Sequence, residues 1–151
     1  MSTRNSRSPS FEEYIARLEL IARRLRILGF GLLGCTLLNF LAFTATVLGF
    51  FGSYLSSQYA ALVFVLVLGG ATVFESSRRR GEAIYSEVTD EFHRRASRRP
   101  TDDAAMPFRI ALKDFAVSMD LPLVPGRYGA AAYVLVNLAL VISLLFFRRY
   151  L

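Results

Sequence analysis

The sequence predicts an all-α integral membrane protein with three membrane-crossing helices. Between Arg26 and Glu75 the chain runs for forty-eight residues without a charged side chain, and a second uncharged run extends from Tyr128 to Phe147. An apolar stretch of about 18 or more residues is typical of a transmembrane helix. The first run is too long for one crossing and suits two crossings joined by a tight turn. We therefore predict a transmembrane helical hairpin, with spans at about 27–51 and 55–74, and a third span at 128–147.

Length and composition favour one membrane domain and leave no room for a separate enzyme domain of ordinary size. Of the 151 residues, 54% are hydrophobic and 20% are charged, and the mean hydropathy is +0.40. The charged residues are excluded from the predicted spans and are dense elsewhere. The single cysteine, Cys35, lies inside the first predicted span, so an intramolecular disulfide is excluded.

The distribution of basic residues predicts the orientation. Six arginines precede the first span, ten basic residues lie between Glu75 and Arg127, and the connector around Phe51–Tyr59 carries no charge. Because cytoplasmic segments are enriched in Lys and Arg, we expect the N-terminus and the middle segment in the cytoplasm. Three spans then put the C-terminal tail, 148–151, outside, although its two arginines oppose the rule. We expect the bacterial inner (plasma) membrane as the location.

Residues 10–99 are predicted to form one unit in which both hairpin helices continue into the cytoplasm. Residues 1–9 are rich in Ser, Arg and Asn and are predicted to be disordered. Ser10 and Glu13 fit a capping box, so a helix should begin there and run directly into span one. The second helix should continue past the membrane until Pro100, with Gly81 as its weak point.

Apolar stripes on these two extensions predict that the extensions pack on each other. The first stripe repeats at heptad spacing and the second at four-residue spacing. The packing residues are Phe11, Leu18 and Leu25 on the first extension and Ile84, Val88 and Phe92 on the second. At 1.5 Å per residue each extension is about 23 Å long, so antiparallel pairing is the simplest way to bury both stripes. The alternative is that each stripe docks on a partner subunit.

Residues 100–127 are predicted to form a linker that contains a short amphipathic helix at about 107–120. Pro107 suits the first turn of a helix, and an apolar stripe follows it at Phe108, Leu112, Phe115 and Met119. This helix could lie at the membrane interface or pack on the cytoplasmic hairpin, and the sequence leaves both open. The proline-rich segment 121–127 is predicted to be an extended approach to span three.

Three polar residues inside the spans are candidate intramembrane contacts. Asn39 lies thirteen residues from Arg26, and Asn137 lies ten from Arg127, which places both about 15–20 Å deep, near the middle of the membrane. Spans one and three run in the same direction, so the two amides could meet, with Thr36 one turn away. The simpler interpretation is a polar contact that holds helices together, and the alternative is a pore ring in an oligomer.

Two arginine clusters are candidate contacts for lipid headgroups or for a partner. They comprise Arg78, Arg79 and Arg80 beside the membrane, and Arg94, Arg95, Arg98 and Arg99 further along the helix. The first cluster is predicted to meet anionic lipids, at about 1 kcal/mol per residue. The second lies more than about 20 Å away, beyond a Debye length, and is available to an acidic partner surface or to the N-terminal carboxylates. Acidic residues are interleaved with the basic ones, so we do not expect nucleic-acid binding.

No motif for catalysis, a metal or a cofactor is present in the sequence. His93 is the one histidine, and the patterns of serine hydrolases, zinc proteases, CxxC proteins and phosphate loops are absent. We therefore expect a non-enzymatic membrane scaffold or accessory subunit, without cofactors, that presents cytoplasmic helices to another membrane protein or to its own copies. The alternative is an oligomeric channel or membrane-disrupting effector with span one lining the pore.

Overall fold

The computed structural model describes residues 11–50, 53–96 and 105–150, and these residues form four α-helices. They are α1, Phe11–Val47, α2, Ser53–Ala96, α3, Ala105–Ser118, and α4, Gly129–Tyr150. By length and composition, three of them can cross a membrane, over Glu12–Val47, Ser56–Arg94 and Gly129–Phe146. The prediction of an all-helical protein with three helices of membrane-spanning type is confirmed.

Several predicted features lie outside the described residues. These are the disordered segment 1–9, the linker around Pro100, and Arg98 and Arg99, together with the side chains of Phe11, Arg95 and Phe108.

Helices α1 and α2 pack antiparallel. Leu32 packs against Gly70, and nearer the N-terminus the Tyr14 hydroxyl lies 3.3 Å from Glu87 Oε1. With 37 and 44 residues, the helices are about 55 and 66 Å long. A hydrocarbon core is about 30 Å thick, so each helix is longer than one crossing needs. The excess length of each helix lies beyond its uncharged segment. We call the part formed by residues 11–26, 75–96 and α3 the charged end.

The end of α1 is set by Gly49. Its φ of 80° is left-handed, the Gly49 amide donates to the Thr46 carbonyl at 3.0 Å, and the Phe50 amide donates to the Ala45 carbonyl at 2.9 Å. This is the hydrogen-bond pattern of a Schellman motif, in which glycine avoids the steric penalty of the left-handed conformation. α2 begins at Ser53, so most of the predicted connector is the first turns of α2.

One apolar core continues from the uncharged segments into the charged end. All four helices and the loop before α4 contribute to it; its buried members are Leu18, Ala22, Leu25, Leu32, Val63, Val67, Ala71, Phe74, Phe115, Leu121 and Tyr133. Of the predicted packing residues, Leu18, Leu25 and Val88 are buried, Ile84 packs against this core, and Phe92 is half-buried. A smaller cluster of Ala60, Val141 and Leu144 lies at the opposite end of the bundle.

Helix α3 packs on the charged halves of α1 and α2. Its Phe115 ring is fully buried and stacks on Tyr85, with ring centroids 5.9 Å apart. The ring also covers Gly81, where an added Cβ would lie 2.4 Å from Phe115 Cζ and 3.2 Å from Ile21 Cγ2. Gly81, predicted to be the weak point of the second extension, is therefore the position that admits the Phe115 ring.

The segment between α3 and α4 contains a compact turn, where an extended approach to span three was predicted. Leu121 and Val124 form a short antiparallel bridge around Pro122 and Leu123. Pro122 occupies the second position of this turn, and Leu123, at the third, has a φ of 67°. This pattern is typical of a type II turn, because proline presets the first φ and the next residue must be left-handed.

Candidate functional site

Two arrangements of buried polar side chains form the candidate site. The first, which we call the amide cluster, consists of Asn39, Asn137 and Thr36 in the uncharged segments of α1 and α4. The second is Arg78, which lies where α2 meets the loop before α4. Both connect α4 to the helical hairpin, and they do so at different depths.

The amide cluster is a chain of hydrogen bonds between α1 and α4. Asn39 Nδ2 donates to Asn137 Oδ1 at 2.8 Å, and Asn137 Nδ2 donates to Thr36 Oγ1 and to the Tyr133 carbonyl, each at 2.8 Å. Both asparagines are fully buried. Because α1 and α4 run parallel, residues at equal depth face each other, which brings the two predicted amides together.

One acceptor in the cluster has no partner among the described residues. It is Asn39 Oδ1, which is buried and accepts no hydrogen bond there. Reversing the Asn39 amide would place two oxygens against each other at the Asn137 contact, so the orientation is fixed by Asn137. An unsatisfied buried acceptor costs about 1–3 kcal/mol, which offsets part of what the other hydrogen bonds contribute.

In the uncharged segment of α1, Asn39 points into the bundle and the large exposed side chains are apolar. Leu37, Leu38, Phe40 and Leu41 are all exposed on the surface of the chain, whereas Asn39 is buried between the helices. The threonine hydroxyls of this segment are hydrogen-bonded within α1. Those of Thr36, Thr44 and Thr46 donate to backbone carbonyls four residues earlier at 2.7–2.9 Å. The surface that α1 turns outward therefore suits lipid.

Arg78 connects α2 to the loop before α4. Its side chain is 11% exposed; Nε donates to Glu82 Oε1 at 3.0 Å and Nη1 to the Arg127 carbonyl at 3.4 Å. Glu75 Oε2 lies 4.0 Å from Nη1 and adds a second carboxylate. Arginine can bury its stem while its planar head binds several acceptors. The guanidinium is thus engaged within the chain, unlike the lipid-headgroup contact predicted for it.

The other arginines of the predicted clusters are outward-facing where they are described. Arg79 is 75% exposed and pairs with Glu75 at 3.1 Å, Arg80 is exposed, and Arg94 lies 3.8 Å from Glu91. Exposed ion pairs of this kind contribute about 0–1 kcal/mol. These side chains remain available for the predicted contacts with headgroups or a partner.

Contacts between elements at the charged end are polar at the surface and apolar beneath. Arg26 Nη2 lies 3.8 Å from Asp114 Oδ2 and connects α1 to α3. Tyr14 donates to Glu87 across the two extensions, and desolvation, followed by the neighbouring Glu87 carboxylate, raises the pKa of the Tyr14 phenol. The phenol therefore stays protonated, as donor, throughout the neutral range.

Within the described ranges, no three His, Cys, Asp or Glu side chains lie close enough together to hold a metal ion. His93 lies edge-on to the ring of Phe92, with centroids 6.2 Å apart.

Sequence reasoning missed several residues that position these contacts. Tyr133 supplies the carbonyl that accepts from Asn137, and its hydroxyl donates to the Pro122 carbonyl. Its position one helical turn before Asn137 was the available signal, because residues four apart share a helix face. Nothing in the sequence distinguishes Arg78 from Arg79 or marks Gly81 as a contact.

No family model, curated protein or solved structure matches this chain.

Proposed function

We propose that this protein is a non-enzymatic membrane scaffold or accessory subunit of the bacterial inner membrane. It crosses the bilayer three times, with its N-terminus and charged end in the cytoplasm and its C-terminus outside. The charged end is a small helical module that is held at the membrane surface for a partner, either another membrane protein or a second copy of the chain.

The observation that carries this proposal is the continuity of the core. Leu18 and Phe115, in the charged end, belong to the same buried cluster as Val63 and Val67 of the uncharged segment. Burying a Phe or Leu side chain contributes about 1.5–3 kcal/mol. A module that shares its core with the membrane domain holds a fixed position relative to the bilayer, which is what a scaffold needs and an independent tethered domain lacks.

The amide cluster supports a structural role rather than a pore. Asn39 Nδ2 already donates to Asn137 Oδ1 within one chain, and lining a pore with Asn39 would require opening this contact with α4 and exposing the buried amides. Hydrogen bonds between membrane helices contribute about 0.6 kcal/mol on average and at most about 2. We assign the cluster to holding α4 at a fixed depth beside α1.

Mass in detergent and vesicle leakage distinguish the scaffold from the channel. For the scaffold we expect lipid vesicles containing the protein to retain a trapped dye, and the Asn39→Leu variant to retain it equally. A homo-oligomer that releases dye, and that stops doing so in Asn39→Leu but not in the matched outward-facing variant Leu38→Ala, would overturn the scaffold proposal.

The orientation is tested by labelling single cysteines with a membrane-impermeant maleimide in intact cells. In a Cys35→Ala background, we expect Gln58→Cys to react from outside and Ser86→Cys to react only after permeabilisation. Both positions are exposed and lie toward opposite ends of α2, Gln58 near its start in the predicted connector and Ser86 in the charged end. The reverse pattern would contradict the proposed orientation.

The partner-binding role is tested by photo-crosslinking in cells. A crosslinking amino acid at Asp90, which is exposed on the charged end, should give a discrete product with one protein, and an Arg94→Glu change one turn away should weaken it. A product of twice the chain's mass identifies a second copy as the partner. The matched position is Leu66, exposed on the uncharged segment; products from Leu66 but none from Asp90 would contradict the role.

A further inference from the structure

We propose that the loop Leu121–Tyr128, which we call the interfacial loop, is a lipid-binding anchor that inserts into the bilayer surface. Leu123 and Tyr128 enter the boundary between headgroups and acyl chains, and the Arg127 guanidinium binds anionic headgroups. The inference rests on the proposed membrane embedding, and it assigns to this loop a contact beyond the three spans.

The first observation is exposure. Leu123 is 82% exposed and Tyr128 is 76% exposed, five residues apart at the outer surface of the loop. A single exposed leucine is ordinary on a soluble surface. Here, however, Leu121 and Val124 of the same loop pack into the core, whereas Leu123 and Tyr128 face outward.

The second observation is the depth of the loop. Leu121 Cδ2 and Pro122 Cδ each lie 3.3 Å from the position of a Cβ at Gly29. Gly29 is three residues beyond Arg26, about 4–5 Å into the uncharged segment of α1. Ile27 and Phe30 on either side of it are exposed and apolar. The interfacial loop therefore stands beside the edge of the apolar belt, at the level where tyrosines of membrane proteins concentrate.

The third observation is the conformation of Leu123. A left-handed non-glycine residue costs about 1–2 kcal/mol, and Leu123 adopts this conformation with a φ of 67°. In water, glycine or asparagine would relieve that strain at an exposed turn position. An apolar environment outside the protein gives the leucine side chain a favourable interaction that neither replacement provides.

The fourth observation is that the loop is held rigidly. The Gly126 amide donates to Asp120 Oδ1 at 2.9 Å, the Tyr133 hydroxyl donates to the Pro122 carbonyl, and Arg78 binds the Arg127 carbonyl. Arg127 is the one charged residue of Leu121–Tyr128, and its exposed side chain presents that charge outward. Apolar residues flanked by a basic one suit an anionic lipid surface.

The test measures membrane depth in vesicles of phosphatidylcholine and phosphatidylglycerol. A fluorophore sensitive to polarity is attached to Leu123→Cys in a Cys35→Ala background, and its quenching by nitroxide-labelled lipid is compared with quenching by aqueous iodide. Leu135→Cys, exposed on α4, is the membrane reference, and Ser86→Cys is the aqueous reference. We expect the label at 123 to be quenched by shallow nitroxide lipid several-fold more than the label at 86, and less by iodide.

The outcomes separate this inference from the membrane embedding itself. If the label at 135 reports lipid and the label at 123 behaves like that at 86, the interfacial loop does not insert and the inference fails alone. If the labels at both 123 and 135 report water, the proposed embedding fails as well. A fourth label at Val124→Cys, half-buried toward the protein, should be shielded from both quenchers if the loop keeps its fold.

Discussion

Replacing Gly81 with alanine should weaken the docking of α3 on α1 and α2. An alanine Cβ would lie 2.4 Å from Phe115 Cζ and 2.7 Å from Phe115 Cε2. The ring cannot turn aside easily, because it is fully buried between Tyr85 and the α1–α2 interface. Relief of the overlap therefore requires α3 to move outward.

The magnitude follows from two opposing effects. In an unobstructed helix interior, Gly→Ala stabilises by about 1 kcal/mol. Overpacking a close-packed core costs about 1–3 kcal/mol, and losing the burial of a Phe ring costs a similar amount. Only one of these two costs applies, because α3 either stays overpacked or moves outward. At about 2–3 kcal/mol, less the gain of about 1 kcal/mol, the net effect is a destabilisation of about 1–2 kcal/mol.

Hydrogen–deuterium exchange in lipid nanodiscs measures this change directly. A loss of about 1–2 kcal/mol corresponds to about 5–30-fold faster exchange, and we expect it at amides 111–118 while the uncharged segments keep their protection. Gly69→Ala is the matched control, since nothing lies within 4 Å of a Cβ there. The double variant Gly81→Ala with Phe115→Leu should recover part of the protection. If the α3 amides exchange as slowly in the Gly81→Ala variant as in the unchanged protein, the close-packing argument is wrong.

Two further comparisons test the candidate site through the stability of the protein in detergent. Asn137→Leu should destabilise the protein more than Asn39→Leu does, by up to about 2 kcal/mol. Asn137→Leu leaves the whole Asn39 amide unpaired, whereas Asn39→Leu also removes an oxygen that has no partner among the described residues. Equal thermal midpoints for the two variants would contradict the hydrogen-bond assignment. Arg78→Gln should lower the thermal midpoint, because the buried Arg78 guanidinium binds the Glu82 carboxylate and the Arg127 carbonyl. Arg79→Gln should leave the midpoint nearly unchanged, because the exposed Arg79 forms only a surface ion pair. A larger effect at Arg79 than at Arg78 would refute this distinction.

The fold class was predictable because charge exclusion is a property of the sequence itself. Forty-eight uncharged residues demand a pair of apolar helices, and heptad spacing marked Leu18 and Leu25, which are buried. The proposed orientation and partner depend on the surroundings of the protein, which neither the sequence pattern nor the packing of the chain specifies.

The contacts that build the site depend on rotation and neighbours that a sequence does not display. Arg78 and Arg79 are identical and adjacent, yet successive helical positions differ by about 100°, so one faces the bundle and the other solvent. Gly81 weakens an isolated helix. In the folded protein, its missing Cβ leaves the room that the Phe115 ring occupies. The turn at Leu123 was hidden for a similar reason, because leucine gives no indication of a left-handed conformation.

In the proposed membrane embedding, the unbroken length of α2 would make it a rigid lever that projects from the bilayer. α2 passes from the uncharged segment to Ala96 as one helix of 44 residues, and Phe115 fills the space at its one glycine in the charged end. Transmembrane helices tilt when bilayer thickness changes. The stretch from Glu75 to Ala96 is about 32 Å long, so a tilt of about 5° would shift its far end by about 3 Å. A partner bound there would sense bilayer thickness without touching lipid.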